Sequence, residues 1–247
     1  MEKALARIDQ ILVDRGLVQS RTEAQRLIEG GRLRVNNLAV EKSNKRYPDD
    51  CAVELQADDQ PYISRGGVKL AAALNSFQID PMGAVCLDVG ISTGGFTDCL
   101  FKRGARRIVG VDVGHGQLHS KLHNHPALDL REKTNARFLL PSDFDQQFDI
   151  ITVDVSFISL TLIVPSLTKL MKESGTLICL VKPQFEVGQG RLGKNGIVTA
   201  EAERVRACEA VHNTARQSGL TCIGTIESPV TGGDGNREYL SAFRAEA

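Results

Sequence analysis

The stretch Val85-Cys86-Leu87-Asp88-Val89-Gly90-Ile91-Ser92-Thr93-Gly94-Gly95-Phe96-Thr97 constrains the fold of this chain more tightly than any other. An apolar strand runs straight into three glycines and then a helix start. Glycine at such a turn lets the backbone approach a ligand closely, and the helix N-terminus offers N–H groups that have no partner within the helix. The spacing is GxxxGG, which differs from the GxGxxG of dinucleotide-binding turns. The residues on either side extend the same pattern. Periodicity predicts a helix over 68–77, a strand over 85–89, a helix near 97–103, a strand over 108–112 and a helical region near 116–122. A short strand over 128–130 follows, then a strong strand over 148–154, a helix over 160–172 and a strand over 176–182. A long helix over 201–218 and strands over 220–226 and 238–243 complete the series. Helix alternating with strand in this way predicts an α/β fold built on a doubly wound sheet covered on both faces.

The first 55 residues read differently. Apolar side chains at 4, 5, 8, 11 and 12 predict a helix over 4–15 closed by Gly16. Ser20 followed by Glu23 reads as a capping box, so a second helix starts there with Ala24, Leu27 and Ile28 buried and Gly30-Gly31 at its end. Residues 32–35, a turn at Asn36-Asn37, residues 38–40 and residues 51–55 predict a small sheet. Such an α+β module is near the lower size limit for independent folding. The charge distribution separates it from the rest. The whole chain balances 30 Lys/Arg against 30 Asp/Glu, yet residues 1–46 hold ten Lys/Arg against six Asp/Glu. Five acids and no base then follow between Asp49 and Asp59. A sign change of this kind marks a boundary. The expected division is a first domain over 1–58, a linker over 59–64 and a second domain over 65–247.

The chemistry is expected at the strand ends. Asp88 stands where a carboxylate can meet a ligand ammonium group, and Asp112 ends the next strand, where an acid accepts ribose hydroxyls. Together they favour a nucleoside carrying a charged amino-acid tail over one carrying a pyrophosphate, and S-adenosyl-L-methionine fits that description. Asp154 and Lys182 also stand at the ends of apolar strands, a position where charge serves core packing poorly. His115, His119 and His123 have the spacing of one helix face, which is read as a solvated face near the ligand pocket. The six cysteines form no CxxC, so no metal site is expected. They read as small core residues of a reduced protein. Basic residues in 1–46 are interleaved with a small core and with no aromatic residue, which favours structured RNA over a base-stacking platform for single strands. The stretch 188–196, with Arg191 and Lys194, reads as a mobile loop able to close over a ligand.

The glycine block resembles motif I of class I methyltransferases. More specifically, the chain resembles the FtsJ-like ribose 2′-O-methyltransferases, and within them the TlyA family of ribosomal RNA methyltransferases. Residues 4–55 are similar to an S4-like RNA-binding domain, through Arg7-Ile8-Asp9, Ser20-Arg21 and the run from Gly30 to Asn36. Ser64-Arg65-Gly66-Gly67-Val68-Lys69-Leu70, Asp154-Val155-Ser156-Phe157-Ile158-Ser159, Leu180-Val181-Lys182-Pro183-Gln184-Phe185-Glu186 and Asn236-Arg237-Glu238-Tyr239 match further motifs of the family. The resemblance implies a Rossmann-like class I methyltransferase sheet behind a small S4-like domain. It implies a catalytic tetrad of Lys69, Asp154, Lys182 and Glu238. Read alone, Lys69 and Glu238 would pass as solvated surface groups. The implied cofactor-binding set is Asp88, Gly90, Ser92, Thr93, Gly94, Gly95, Phe96, Asp112, Val113, Asn135 and Asp154. The RNA-binding set is Arg7, Ser20, Arg21, Arg26, Arg32, Arg34, Lys42 and Arg65.

The reaction so implied is methylation of cytidine ribose in 16S and/or 23S ribosomal RNA. Burial, or the charge of a neighbouring Lys69, would favour a neutral Lys182 able to act as base. The expected partners are ribosomal RNA or ribosomal subunits, with no membrane and no metal, and the expected state is a monomer or weak homodimer in the cytoplasm. The rivals are a membrane-active haemolysin, a non-catalytic assembly factor that binds RNA and a small-molecule O-methyltransferase. No apolar run approaches the length needed to cross a membrane, and the basic module would be unexplained in the last case.

Overall fold

The computed structural model describes residues 5–18, 20–29, 31–40, 42–55, 61–193, 196–232 and 235–245. The chain divides into two compact units, Met1–Asp59 and Gln60–Ala247. In the first unit β1 (Leu5–Arg7), α1 (Ile8–Asp14) and α2 (Arg21–Glu29) precede β2 (Leu33–Val35), β3 (Leu38–Ala39), β4 (Arg46–Pro48) and β5 (Val53–Leu55). Three of these strands form a sheet in the order β3-β2-β5, and β1 pairs with β4. Ile8, Ile11, Leu12, Ala24, Ile28, Leu33 and Val35 fill the core beneath them. Asn36 and Asn37 both take positive φ, 51° and 65°, which closes the β2–β3 hairpin with the primed turn that asparagine tolerates. One expectation fails here. The apolar spacing predicted helix from residue 4, but Leu5–Arg7 is a strand whose partner lies in residues 46–48. A pairing that remote leaves no trace in local periodicity. Residues 4 and 30, and the linker residues 59 and 60, lie outside the described residues.

The second unit begins with α3 (Arg65–Ser76), β6 (Val85–Val89), α4 (Gly95–Lys102), β7 (Arg107–Val111), β8 (Leu128–Arg131) and β9 (Phe148–Val153). It continues through α5 (Val164–Leu167), β10 (Met171–Val181), α6 (Pro183–Glu186), α7 (Glu201–Gln217), β11 (Leu220–Glu227) and β12 (Tyr239–Ala245). Seven strands form one sheet in the order β11-β12-β10-β9-β6-β7-β8. The five from β10 to β8 are parallel, while β12 runs antiparallel to both its neighbours. Side chains alternate across this sheet. Leu87, Val89, Ile151 and Cys179 face α5 and α7, through Val164, Leu167 and Val211. Cys86, Ile108, Ile150 and Ile178 face α3 and α4, through Leu70, Leu74 and Leu100.

Two expected helices are not formed as such. Over 160–172 the chain makes a 3-10 turn at Leu160–Leu162, the single turn α5 and another 3-10 turn at Thr168–Leu170. Pro165 explains the break, since it has no N–H to give and its ring clashes with the preceding turn. Near 116–122 only Ser120–Leu122 is helical, because Gly116 sits at φ 66°. The histidines there do not share a helix face. His125 stacks on Phe101, and His123 meets the carbonyl of Leu118 at 2.8 Å. Among the described residues no helix is long and apolar enough to cross a membrane.

Candidate active site

Strand order reverses between β6 and β9: β7 and β8 extend the sheet on one side of that pair, β10 on the other. In open α/β sheets ligands bind at the carboxyl ends of the strands at such a reversal. A cleft of about 290 Å³ lies there, lined by Ser64, Arg65, Gly66, Lys69, Gly90, Ile91, Ser92, Thr93, Gly95, Phe96, Asp154, Ser156 and Lys182. A larger concavity of about 440 Å³ sits at the opposite edge, where β7 and β8 begin, and is lined by Arg106, Arg107, Leu128 and Asp129. Arg107 is already engaged there by Asp145 at 3.1 Å.

The glycine turn is shaped by close approach. Gly90 has φ +83°, and a Cβ on it would stand 2.2 Å from the carbonyl oxygen of Asp154, so the ends of β6 and β9 meet only because no side chain intervenes. Gly94, at φ +90°, lies against Leu122 in the same way. Asp112 fastens the turn: one carboxylate oxygen accepts the N–H of Ser92 at 2.8 Å and the other accepts that of Gly114 at 2.8 Å. Each oxygen keeps a second lone pair. The Ser92 hydroxyl donates to Gln117 at 3.0 Å, and His119 donates its N–H to the carbonyl of Thr93 at 3.2 Å, which closes residues 114–119 onto the turn.

Two ion pairs dominate the charge. Lys182 reaches Asp154 at 2.6 Å and donates to the Ser156 hydroxyl at 3.1 Å. Lys69 is bonded to Glu238, and both are buried, at 8% and 2% exposure. The four tetrad residues thus come from α3, from the ends of β9 and β10 and from the residue before β12. Each lysine has a carboxylate of its own. Both lysines line the same cleft.

Asp88 departs from its expected role. The alternation of β6 turns its side chain toward α4, where it is fully buried and accepts the hydroxyls of Thr97 at 2.7 Å and Thr152 at 2.9 Å. It ties β6, β9 and the first turn of α4 together and presents nothing to a ligand ammonium group. Burial lifts its pKa to about 6. A carboxyl whose folded-state pKa is raised favours folding below its unfolded value, and that contribution is lost as pH rises through about 6. Asp88→Asn, which carries no such charge, is expected to gain stability relative to the native chain as pH rises from 4 to 8, on the order of 3 kcal/mol. Urea melts at the two pH values check this, and an equal difference at both would show that Asp88 titrates normally.

The remaining expected cofactor contacts are scattered. Val113 is exposed after β7, and the exposed Asn135 caps a 3-10 turn by accepting the N–H of Arg137 at 3.0 Å. In the stretch 188–196, Arg191 pairs with Glu203 at 3.2 Å, and Asn236, buried beside Glu238, holds Val198 and Gly196. Lys194 lies outside the described residues. In the first unit Arg7 and Arg21 both converge on the fully buried carboxylate of Asp9, each at 2.9 Å. Their hydrogen bonds hold that carboxylate below the ordinary range against the opposing effect of burial. Ser20 caps α2, its Oγ accepting the N–H of Glu23 at 3.2 Å. Arg34 and Lys42 are exposed and Arg32 is half-buried, while the side chain of Arg26 is outside the described residues. Three of the expected RNA contacts therefore also hold the module together.

Four residues beside the tetrad carry no signal as single letters: Ser156, Phe157, Phe185 and Glu186. Phe157 is 91% exposed at φ 65° and packs against Phe185 at 5.1 Å between ring centres. Burial raises the Glu186 carboxyl above its usual range, although Leu160 and Ser159 both hydrogen-bond to it. The signal that reaches all four is their place inside the two family motifs that carry Asp154 and Lys182.

Sheet, glycine turn and paired lysines define a methyltransferase of Rossmann-like design, preceded by a small basic module. The chain belongs to the FtsJ-like methyltransferase family, whose model matches residues 62–245, and within it to the TlyA group, with an S4 domain model matching residues 6–48. It is 40% identical over 242 residues to the 16S/23S rRNA (cytidine-2′-O)-methyltransferase TlyA of Mycobacterium tuberculosis, covering 98% of this chain and 90% of that one. It is 35% identical to a protein of Brachyspira hyodysenteriae named Hemolysin A, over 96% of this chain and 99% of that one. A solved structure of a hemolysin-labelled protein from Streptococcus thermophilus superposes with a TM-score of 0.78 at 35% identity, covering 99% of this chain and 90% of that one.

Proposed function

We infer that this protein transfers a methyl group from S-adenosyl-L-methionine to the 2′-hydroxyl of cytidine in 16S and/or 23S ribosomal RNA. The observation that carries the reading is the cleft at the β6/β9 reversal, where a glycine turn closed to any Cβ lies beside the Lys182–Asp154 pair. The residues present fit the cofactor. Asp112 has lone pairs free for ribose hydroxyls, Ser92, Thr93 and the N-terminus of α4 offer polar groups, and Phe96 supplies an apolar wall. When bound, the cofactor supplies an electrophilic sulfonium methyl. The chain's own task is to hold the ribose hydroxyl in line and to manage its proton. Lys182, oriented by Asp154 and Ser156, is the group placed to stabilise or accept that proton. Lys69, held by Glu238, lines the same cleft. The exposed Phe157, backed by the half-buried Phe185, offers an aromatic face on which the target base can stack once it leaves its helix.

Residues 1–58 form the RNA-binding domain in this reading and 65–247 the catalytic one, joined by 59–64. Arg34, Lys42 and Arg65 are the exposed cations suited to phosphate. Arg7 and Arg21 contribute through the part of each side chain that Asp9 leaves open. The protein acts in the cytoplasm, where ribosomal RNA is found, as a monomer or weak homodimer. Mass mapping of ribose methylation in ribosomal RNA treated with the full chain is the test. A new methylated cytidine is expected, and it should be absent with an Asp154→Asn variant. Its absence with the native chain would overturn the reading.

Asp112→Ala is expected to weaken cofactor binding by about 1–3 kcal/mol, since it removes the hydroxyl acceptor and frees the N–H groups of Ser92 and Gly114. Calorimetry with the cofactor alone measures this, and an unchanged affinity would remove Asp112 from the site.

A further inference from the structure

The loop after β9 carries Asp154, Ser156 and Phe157, and the segment after β10 carries Lys182 and Phe185. One side chain bonds the first of these to the second from outside the cleft. Glu186, on the single turn of α6, accepts the Ser159 hydroxyl at 2.5 Å through one oxygen and the Leu160 N–H at 2.9 Å through the other. Among the described residues no cation pairs with it, so its burial is offset only by these two hydrogen bonds. Between Asp154 and this anchor the backbone passes through Phe157 at φ 65°, a conformation that a phenylalanine keeps only where its surroundings impose it.

We infer that Glu186 is a positioning residue for methyl transfer: its carboxylate latches the loop 154–159 to the Lys182 segment, and so sets both the contact of Lys182 with Asp154 and Ser156 and the placement of the exposed Phe157 against Phe185. This rests on the reaction proposed above. Glu186 itself does not line the cleft, and its hydrogen bonds go to Ser159 and Leu160 and not to the glycine turn. Its removal therefore disturbs the RNA side of the reaction and spares the cofactor side.

The test uses the full chain and three variants, with steady-state transfer to ribosomal RNA, cofactor calorimetry and hydrogen exchange. Glu186→Ala is expected to lower kcat by more than about tenfold and to raise KM for RNA, because displacements near 1 Å at a reacting centre are that damaging. Its cofactor affinity should stay within about twofold, which a general loss of structure would not allow. Glu186→Gln keeps an acceptor for Leu160, and its amide can donate to Ser159, whose hydrogen then turns to Thr161, 2.7 Å away. It is expected to retain most of the turnover. Ser159→Ala, which keeps the anchor at Leu160, should fall between the two and guards against a Glu186→Ala chain that fails to fold. The Leu160 amide should exchange faster in Glu186→Ala while the amides of β9 and β10 keep their protection. Native kcat in Glu186→Ala, or unchanged exchange at Leu160, would overturn the latch. If the native chain itself transfers no methyl to ribosomal RNA, the proposed function fails, and the exchange measurement still decides the latch.

Discussion

Lys182→Ala is expected to lower methyl transfer by about 10²–10⁴, the range in which loss of a proton-handling group falls, while leaving fold and cofactor affinity nearly unchanged. The fold is spared because Lys182 follows the buried strand β10 without belonging to its core, and because Asp154 is already 24% exposed with its partner in place, so water can replace the ammonium. The chemistry is lost because no other cation pairs with Asp154 among the described residues. Lys182→Arg then separates two roles. Guanidinium stays protonated at any accessible pH, so a lysine that must accept the ribose proton has no substitute in arginine. A lysine that only stabilises charge is replaced by arginine with partial activity, provided the longer group fits. The observed pairing of Lys182 with a carboxylate favours the second outcome. Single-turnover rates for the three proteins decide, and near-native rates in Lys182→Ala would move the chemistry elsewhere.

Lys69→Ala should behave in the opposite way, with a large loss of stability as well as of activity. Glu238 is 2% exposed, and removing its only ion-pair partner among the described residues leaves a buried carboxylate unpaired. Breaking such a pair typically costs about 3–5 kcal/mol. In a unit of this size that lowers the melting temperature by roughly 10 °C or more. The double variant Lys69→Met with Glu238→Leu replaces both charges by apolar groups of similar volume. It is expected to recover most of the melting temperature and none of the turnover. A single variant that melts like the native chain would show that Glu238 carries no buried charge. A double variant that regains activity would remove the pair from the reaction.

The fold was legible where the signal is local. Continuous apolar runs marked β6, β7, β9 and β10, since a strand buried on both faces has nowhere to place a polar side chain. Glycine placement marked the ligand turn, and Asn36-Asn37 marked a hairpin. Apolar spacing alone predicts one helix over 160–172, and Pro165 is the residue that breaks it. Strand Leu5–Arg7 was not readable at all, because what makes it a strand is Arg46–Pro48.

For the site, the sequence by itself determined which side chains are proposed to carry the chemistry. Asp154 and Lys182 end apolar strands, and the motifs around Lys69 and Glu238 point to the same set. Only the tertiary structure decided how they are paired, since the pairing depends on which strand ends become neighbours. Placing β10 beside β9 gives Lys182 to Asp154, and packing α3 against β12 gives Lys69 to Glu238. It also decided against Asp88 as a ligand group. Its position near a strand end is visible in the sequence, but the face it occupies is fixed by the pleat of β6 under α4, where it is fully buried and holds Thr97 and Thr152.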